Sequence, residues 1–149
     1  MALVLDASIS LSWFFPDERT GFTDAALELA AREECWVPAL WQLEFPNALL
    51  AAERKRRLTR AERLQVLDEA ARLRLRIDGR THELRAISAL AEQHDLSTYD
   101  AAYLELAARL DSALITLDRN LAAAGAAAGV VVHTPGRLSA SQLRRRYNI

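Results

Sequence analysis

Met1-Ala2-Leu3-Val4-Leu5-Asp6-Ala7-Ser8 opens the chain and decides how the rest is read. Its apolar run does not alternate with polar residues, as expected of a strand buried on both faces of a sheet. Asp6-Ala7-Ser8 then hands the chain to a helix over residues 8–15, which Pro16 should stop. Strand and helix signals go on alternating downstream. Further strands are predicted at Cys35-Trp36-Val37, at residues 73–77, at Ala113-Leu114-Ile115-Thr116 and at Val130-Val131-Val132. Helical spacing fills residues 22–33, 39–56 and 81–94, with Pro46 tolerated within the first two turns of the second. Capping boxes at Thr59-Arg60-Ala61-Glu62 and Ser97-Thr98-Tyr99-Asp100 open helices reaching about residues 72 and 110. Asp118 should cap a helix through the alanine-rich 122–128 stretch, and Ser139-Ala140-Ser141-Gln142 a short final one. Strands alternating with helices define an α/β domain with a mainly parallel sheet covered on both faces.

The chain has 149 residues, 51% hydrophobic and 26% charged, which suits one domain over residues 1–149. Folding would bury about 68–70% of the surface of a chain this size, so no disulfide or structural metal is needed. Cys35 is the only cysteine, which excludes an intrachain disulfide and a cysteine-rich zinc site and fits a reducing, cytoplasmic setting. No apolar run reaches the ~18–20 residues of a membrane span. The start has no basic segment and meets Asp6 at once, unlike a signal peptide. The 19 basic and 20 acidic residues give a net charge of -1, which argues against holding nucleic acid by bulk electrostatics. All the basic residues but Lys55 are arginine, and they concentrate at Arg54-Lys55-Arg56-Arg57 and Arg144-Arg145-Arg146. Such clusters either complement helix ends or pair with phosphates.

Ligand sites in parallel sheets lie beyond the carboxyl ends of the strands. Asp6 and Asp118 each follow an apolar run there, while Glu44 lies within an apolar stripe of Leu40, Trp41, Ala48 and Ala51. Asp100 shares a helix face with Tyr103, Leu104 and Ala107. Taken singly, Asp6, Asp100 and Asp118 read as helix caps. Glu44 is harder to explain that way, because a carboxylate on an apolar face costs several kcal/mol unless paired or metal-bound. Brought together, the four form an oxygen-rich cluster suited to Mg²⁺ or Mn²⁺ rather than zinc, and to phosphoryl transfer. Ser8 and Thr116 stand two residues from Asp6 and Asp118, placed for hydroxyl support or for local turn bonds. His82, His94 and His133 have no partners at metal or triad spacing and read as surface or packing residues.

Four segments occur in an order that resembles the PIN-domain nucleases, and among them the VapC toxins of bacterial toxin–antitoxin pairs. They are Val4-Leu5-Asp6-Ala7-Ser8, Glu44 with Asn47, Thr98-Tyr99-Asp100-Ala101-Ala102-Tyr103-Leu104, and Leu114-Ile115-Thr116-Leu117-Asp118. The resemblance runs from Met1 to the strand ending near His133. It implies a three-layer α/β/α fold and a Mg²⁺-dependent endoribonuclease with RNA as substrate. Asp6 and Asp100 match the usual metal ligands, Asp118 the fourth acid and Asn47 a polar position beside Glu44; Pro46 departs from the pattern. It also implies a homodimer and a small antitoxin partner that sends a basic side chain into the acidic pocket. Trp13, Phe14 and Phe15 fit either an interaction groove or the core. An aspartate-nucleophile phosphohydrolase fits less well, because Ser8 stands where such sites carry a second aspartate. An RNA-processing nuclease outside any toxin–antitoxin pair, or a non-catalytic binding module, are the other readings of the same residues.

Overall fold

A computed structural model describes residues 2–149; Met1 lies outside the described residues. The chain folds as β1(Ala2–Leu5), α1(Ala7–Ser12), a 3-10 turn (Pro16–Glu18), α2(Gly21–Arg32), β2(Glu34–Pro38), α3(Trp41–Arg54) and α4(Arg60–Ala70). It continues through β3(Leu75–Asp78), α5(Leu84–His94), α6(Thr98–Arg109), β4(Ala113–Ile115), α7(Arg119–Ala127), β5(Val132–His133) and α8(Ala140–Tyr147). The strands form one sheet in the order β3-β2-β1-β4-β5, and every pairing is parallel. From β1 the chain moves to β2 on one side and, much later, to β4 on the other. The strand order therefore reverses beside β1, which creates a crevice between the carboxyl ends of β1 and β4.

The period of two within each strand divides the core into layers. Leu3, Leu5, Cys35, Val37, Ala113 and Ile115 face one way, into a cluster with Ile9, Phe22, Leu29 and Leu143 of α1, α2 and α8. Val4 and Leu114 face the other, against Tyr103, Leu104, Leu106, Leu121 and Ala124 of α6 and α7. This is a three-layer α/β/α architecture. A third cluster, Phe15 with Phe45, Leu49, Ala52, Val66 and Ala70, joins α3 to α4. Among the described residues no helix is long and apolar enough to cross a membrane.

Several boundaries differ from the expectations, each for a local reason. α1 ends at Ser12 rather than running to Pro16; the chain tightens there, with Phe14 N–H donating to the Leu11 carbonyl at 3.1 Å. Pro16 opens the 3-10 turn, where its missing N–H is harmless. The final strand is the pair Val132–His133, shifted towards the C-terminus of the Val130-Val131-Val132 run. Trp13 and Phe15 are buried and belong to the core, with Trp13 Nε1–H donating to the Thr23 carbonyl at 2.9 Å. The capping boxes at Thr59 and Ser139 are complete. At Ser97 only half of one forms, since Oγ accepts the Asp100 N–H at 3.1 Å and the Asp100 carboxylate makes no return bond to the Ser97 N–H.

Candidate active site

Asp6 leaves β1 at the crevice, and its N–H still pairs with the Ile115 carbonyl of β4 at 3.0 Å. It occupies the N-cap position of α1, yet its side chain caps nothing. Two hydroxyls instead converge on one carboxylate oxygen: Ser8 Oγ donates to Oδ2 at 2.6 Å and Thr116 Oγ1 donates to it at 2.8 Å. Both hydroxyls are oriented by the β4–α7 loop. Ser8 Oγ accepts the Leu117 N–H at 3.1 Å, and Thr116 Oγ1 accepts the Asp118 N–H at 2.9 Å. Asp6 is 6% exposed. Burial pushes its carboxyl up from the ordinary value and the Asp118 charge adds to the rise, against the opposing hydroxyl bonds.

Asp118 caps α7, its Oδ1 accepting the Leu121 N–H at 2.8 Å. That satisfies one orphan amide and leaves the other carboxylate oxygen clear of the cap. Asp100 stands in the first turn of α6, where the one-sided Ser97 cap leaves its carboxylate uncommitted to the backbone. Burial raises its pKa first, then the charges of Asp6 and Asp118. Glu44 comes from the first turn of α3, which continues through Pro46. Tyr103 donates its phenol to Glu44 Oε1 at 2.7 Å. Burial also raises the Glu44 pKa, with Asp6 and Asp100 contributing and the Tyr103 bond opposing. Asp6 thus lies within electrostatic reach of Glu44, Asp100 and Asp118, and burial with neighbouring charge holds Asp6, Glu44 and Asp100 against ionisation.

Asn47 does not join them: it is exposed on α3, and no hydrogen bond ties it to the carboxylates. The structure supplies two supports that the sequence reading did not single out. One is Tyr103, which lies one turn beyond Asp100 on the same face; a tyrosine buried among alanines and leucines needs a polar partner, and that was the available signal. The other is Trp41, whose Nε1–H donates to Ser10 Oγ at 3.0 Å and ties α3 to α1. Nothing in the chain pattern pairs Trp41 with a serine from another element. His133 is a packing residue, buried in β5 and bonded through Nε2 to the Tyr147 hydroxyl at 2.7 Å.

The donor set is wholly carboxylate and hydroxyl oxygen, the chemistry that a hard divalent cation accepts. Among the described residues no group of three or more His, Cys, Asp or Glu side chains converges tightly enough to form a ready-made cage. Mg²⁺ does not need one, because it keeps several waters and takes one or two carboxylates. A groove of about 560 Å³ opens beside Ser8 and Asp118 and is lined also by Phe15 and Arg57. Arg57 lies 4.6 Å over the Phe15 ring and pairs with Asp17 at 3.2 Å.

An aspartate at the end of the central strand, facing acids from three later helices across a switch point, defines a parallel α/β protein with an acidic centre. The chain belongs to the PIN domain family, whose model matches residues 3–127. It is 33% identical over 124 residues to Ribonuclease VapC3 of Pyrobaculum aerophilum, covering 82% of this chain and 93% of that one. Its fold is similar to VapBC2 of Rickettsia felis, solved bound to a DNA fragment from its promoter, with a TM-score of 0.65 and 14% identity over 90% of this chain and 98% of that one. FitAcB of Neisseria gonorrhoeae is similar at a TM-score of 0.61 and 18% identity, over 91% of this chain and 99% of that one. At these identities the two structures speak for the fold alone.

Proposed function

We propose that the protein is a divalent-metal-dependent endoribonuclease of the VapC kind, the toxin of a pair with a small antitoxin. The observation that carries this reading is Asp6, held by Ser8 and Thr116 at the end of the central strand and within electrostatic reach of Glu44, Asp100 and Asp118. The identity to a protein named as a ribonuclease supports it. Asp6 and Asp100 would hold Mg²⁺ or Mn²⁺, with Glu44 and Asp118 completing the acidic ring. The ion, when bound, supplies polarisation of the phosphate and of water, and offsets the mutual repulsion of the carboxylates. The protein's own part is positional. Ser8 and Thr116 engage Oδ2 of Asp6, which leaves Oδ1 clear of both hydroxyls. The reaction is hydrolysis, in which water adds at phosphorus and one bridging P–O bond breaks. The groove beside Asp118 would give an RNA strand a path along that edge of the site.

The test is purified protein on structured RNA, with Mg²⁺ or Mn²⁺ against EDTA, beside Asp6→Asn and Asp100→Asn. Cleavage is expected only in wild type with metal; RNA bound but left intact by all three proteins refutes the nuclease reading. The toxin role predicts that expression of the chain arrests growth and that co-expression of a small partner encoded beside it relieves the arrest. Homodimerisation belongs to the same proposal, and light scattering of the free protein tests it.

A further inference from the structure

We infer that Tyr103 is a positioning residue that sets the aim of Glu44 in the acidic centre, an inference that rests on the nuclease reading above. Tyr103 is 0% exposed, with its ring inside the α6–sheet core. Packing alone would accept phenylalanine, and a buried hydroxyl costs free energy unless it is bonded. The hydroxyl donates to Glu44 Oε1, a side chain 59 residues away on a different helix, at 2.7 Å. Three residues before Glu44, Trp41 donates to Ser10 of α1 at 3.0 Å. The first turn of α3 is therefore pinned on one face at two points, to α1 through Trp41 and to α6 through Glu44. Those ties matter because Pro46 sits inside α3 and offers no N–H to the carbonyl one turn back. The helix's own ladder is interrupted just where Glu44 must be held. Since α6 carries both Asp100 and Tyr103, the phenol also fixes Glu44 relative to Asp100. With Oε1 committed to the phenol, Oε2 is the oxygen left to face an ion.

Tyr103→Phe removes one oxygen and preserves the ring, and it is compared with Glu44→Gln and with the double variant. The Tyr103→Phe crystal structure should show the Glu44 carboxylate displaced. Its kcat on RNA should fall about tenfold with KM unchanged, and Mn²⁺ binding to the RNA-free protein, followed by electron paramagnetic resonance, should weaken. In the Glu44→Gln background, Tyr103→Phe should change neither quantity further, because its effect passes through the carboxylate. Equal losses in both backgrounds, or a Glu44 that keeps its position in Tyr103→Phe, overturn the inference. Should wild type leave RNA uncut, the nuclease reading fails by itself, and the crystal structure still decides whether Tyr103 positions Glu44.

Discussion

At the scale of single residues, Asp6 is subject to two opposed demands. Its carboxylate is buried next to other acids, so its pKa is raised above the ordinary carboxylate value. A raised carboxyl pKa means that the unfolded chain gives up the proton more readily, so stability falls as pH climbs from the ordinary carboxylate range through the folded-state value. The Asp6 charge therefore weighs against the metal-free fold. Asp6→Asn should raise the melting temperature in EDTA by roughly 2–4 °C, the shift that about 1 kcal/mol produces in a chain of this size. Added Mg²⁺ should stabilise wild type and leave the variant unmoved. The same variant should lose about 100-fold or more in RNA cleavage. A second residue-scale expectation concerns Cys35. Burial pushes its thiol up to about 12, so it should resist thiol reagents in the native protein and react only on unfolding. Chain pattern alone was enough to place Asp6 and Asp118 at strand ends, because both follow apolar runs. It was silent on Tyr103 as a partner of Glu44, since a contact across 59 residues leaves no trace in local periodicity.

At the scale of elements, Gly125 shows how tightly α7 lies on the sheet. A Cβ built there would stand 2.6 Å from Val132 Cγ2 and 3.6 Å from Leu114 Cδ2. Alanine is otherwise the better helix former by about 0.8–1.0 kcal/mol, so propensity and packing pull in opposite directions. Overpacking costs about 1–3 kcal/mol and should win: Gly125→Ala is expected to lower the urea midpoint. In a Val132→Ala background, which removes the obstructing methyl, the same change should become stabilising. The alanine-rich stretch declared itself helical in the sequence, whereas its close approach to β5 depended on which strand it would meet. The boundaries that shifted share that character. Residues 13–15 have helical spacing but leave α1 because Trp13 and Phe15 enter different clusters. The Val130-Val131-Val132 run contributes only its last residue to β5 because strand register is set by Leu114 and Ile115 of β4.

At the scale of the whole molecule, α8 lies beyond the residues that match the PIN family yet closes the core cluster on one face of the sheet. Leu143 is fully buried, Arg144 pairs with Glu28 of α2 at 2.7 Å, and Tyr147 bonds to His133. Leu143→Ala should cost about 2–5 kcal/mol, read as a fall in the unfolding midpoint. His133 makes the same closure sensitive to acid. Burial, aided by Arg146, holds its pKa down at about 4 from an ordinary 6.5. The stability this neutral imidazole contributes is complete above the ordinary value and drains away as pH falls towards the folded-state value. Between pH 7 and pH 5 the loss is about 2 kcal/mol, and it should be absent in His133→Gln, which keeps a partner for the Tyr147 hydroxyl. The raised acids of the centre work in the opposite direction. The comparison of variant with wild type, rather than the wild-type slope alone, therefore isolates the histidine.

The pairing of Leu3 with Ala113 has a consequence for the order in which the protein comes into being. A parallel neighbour so distant in sequence is a non-local contact, which needs a long loop to close before it can form. Thr116, which holds Asp6, is made 110 residues after it, and Asp118 follows two residues later. A nascent chain therefore carries Asp6 through all of that intervening synthesis without the neighbours that make it a centre. The topology itself delays the assembled site until β4 and the loop after it are free to dock.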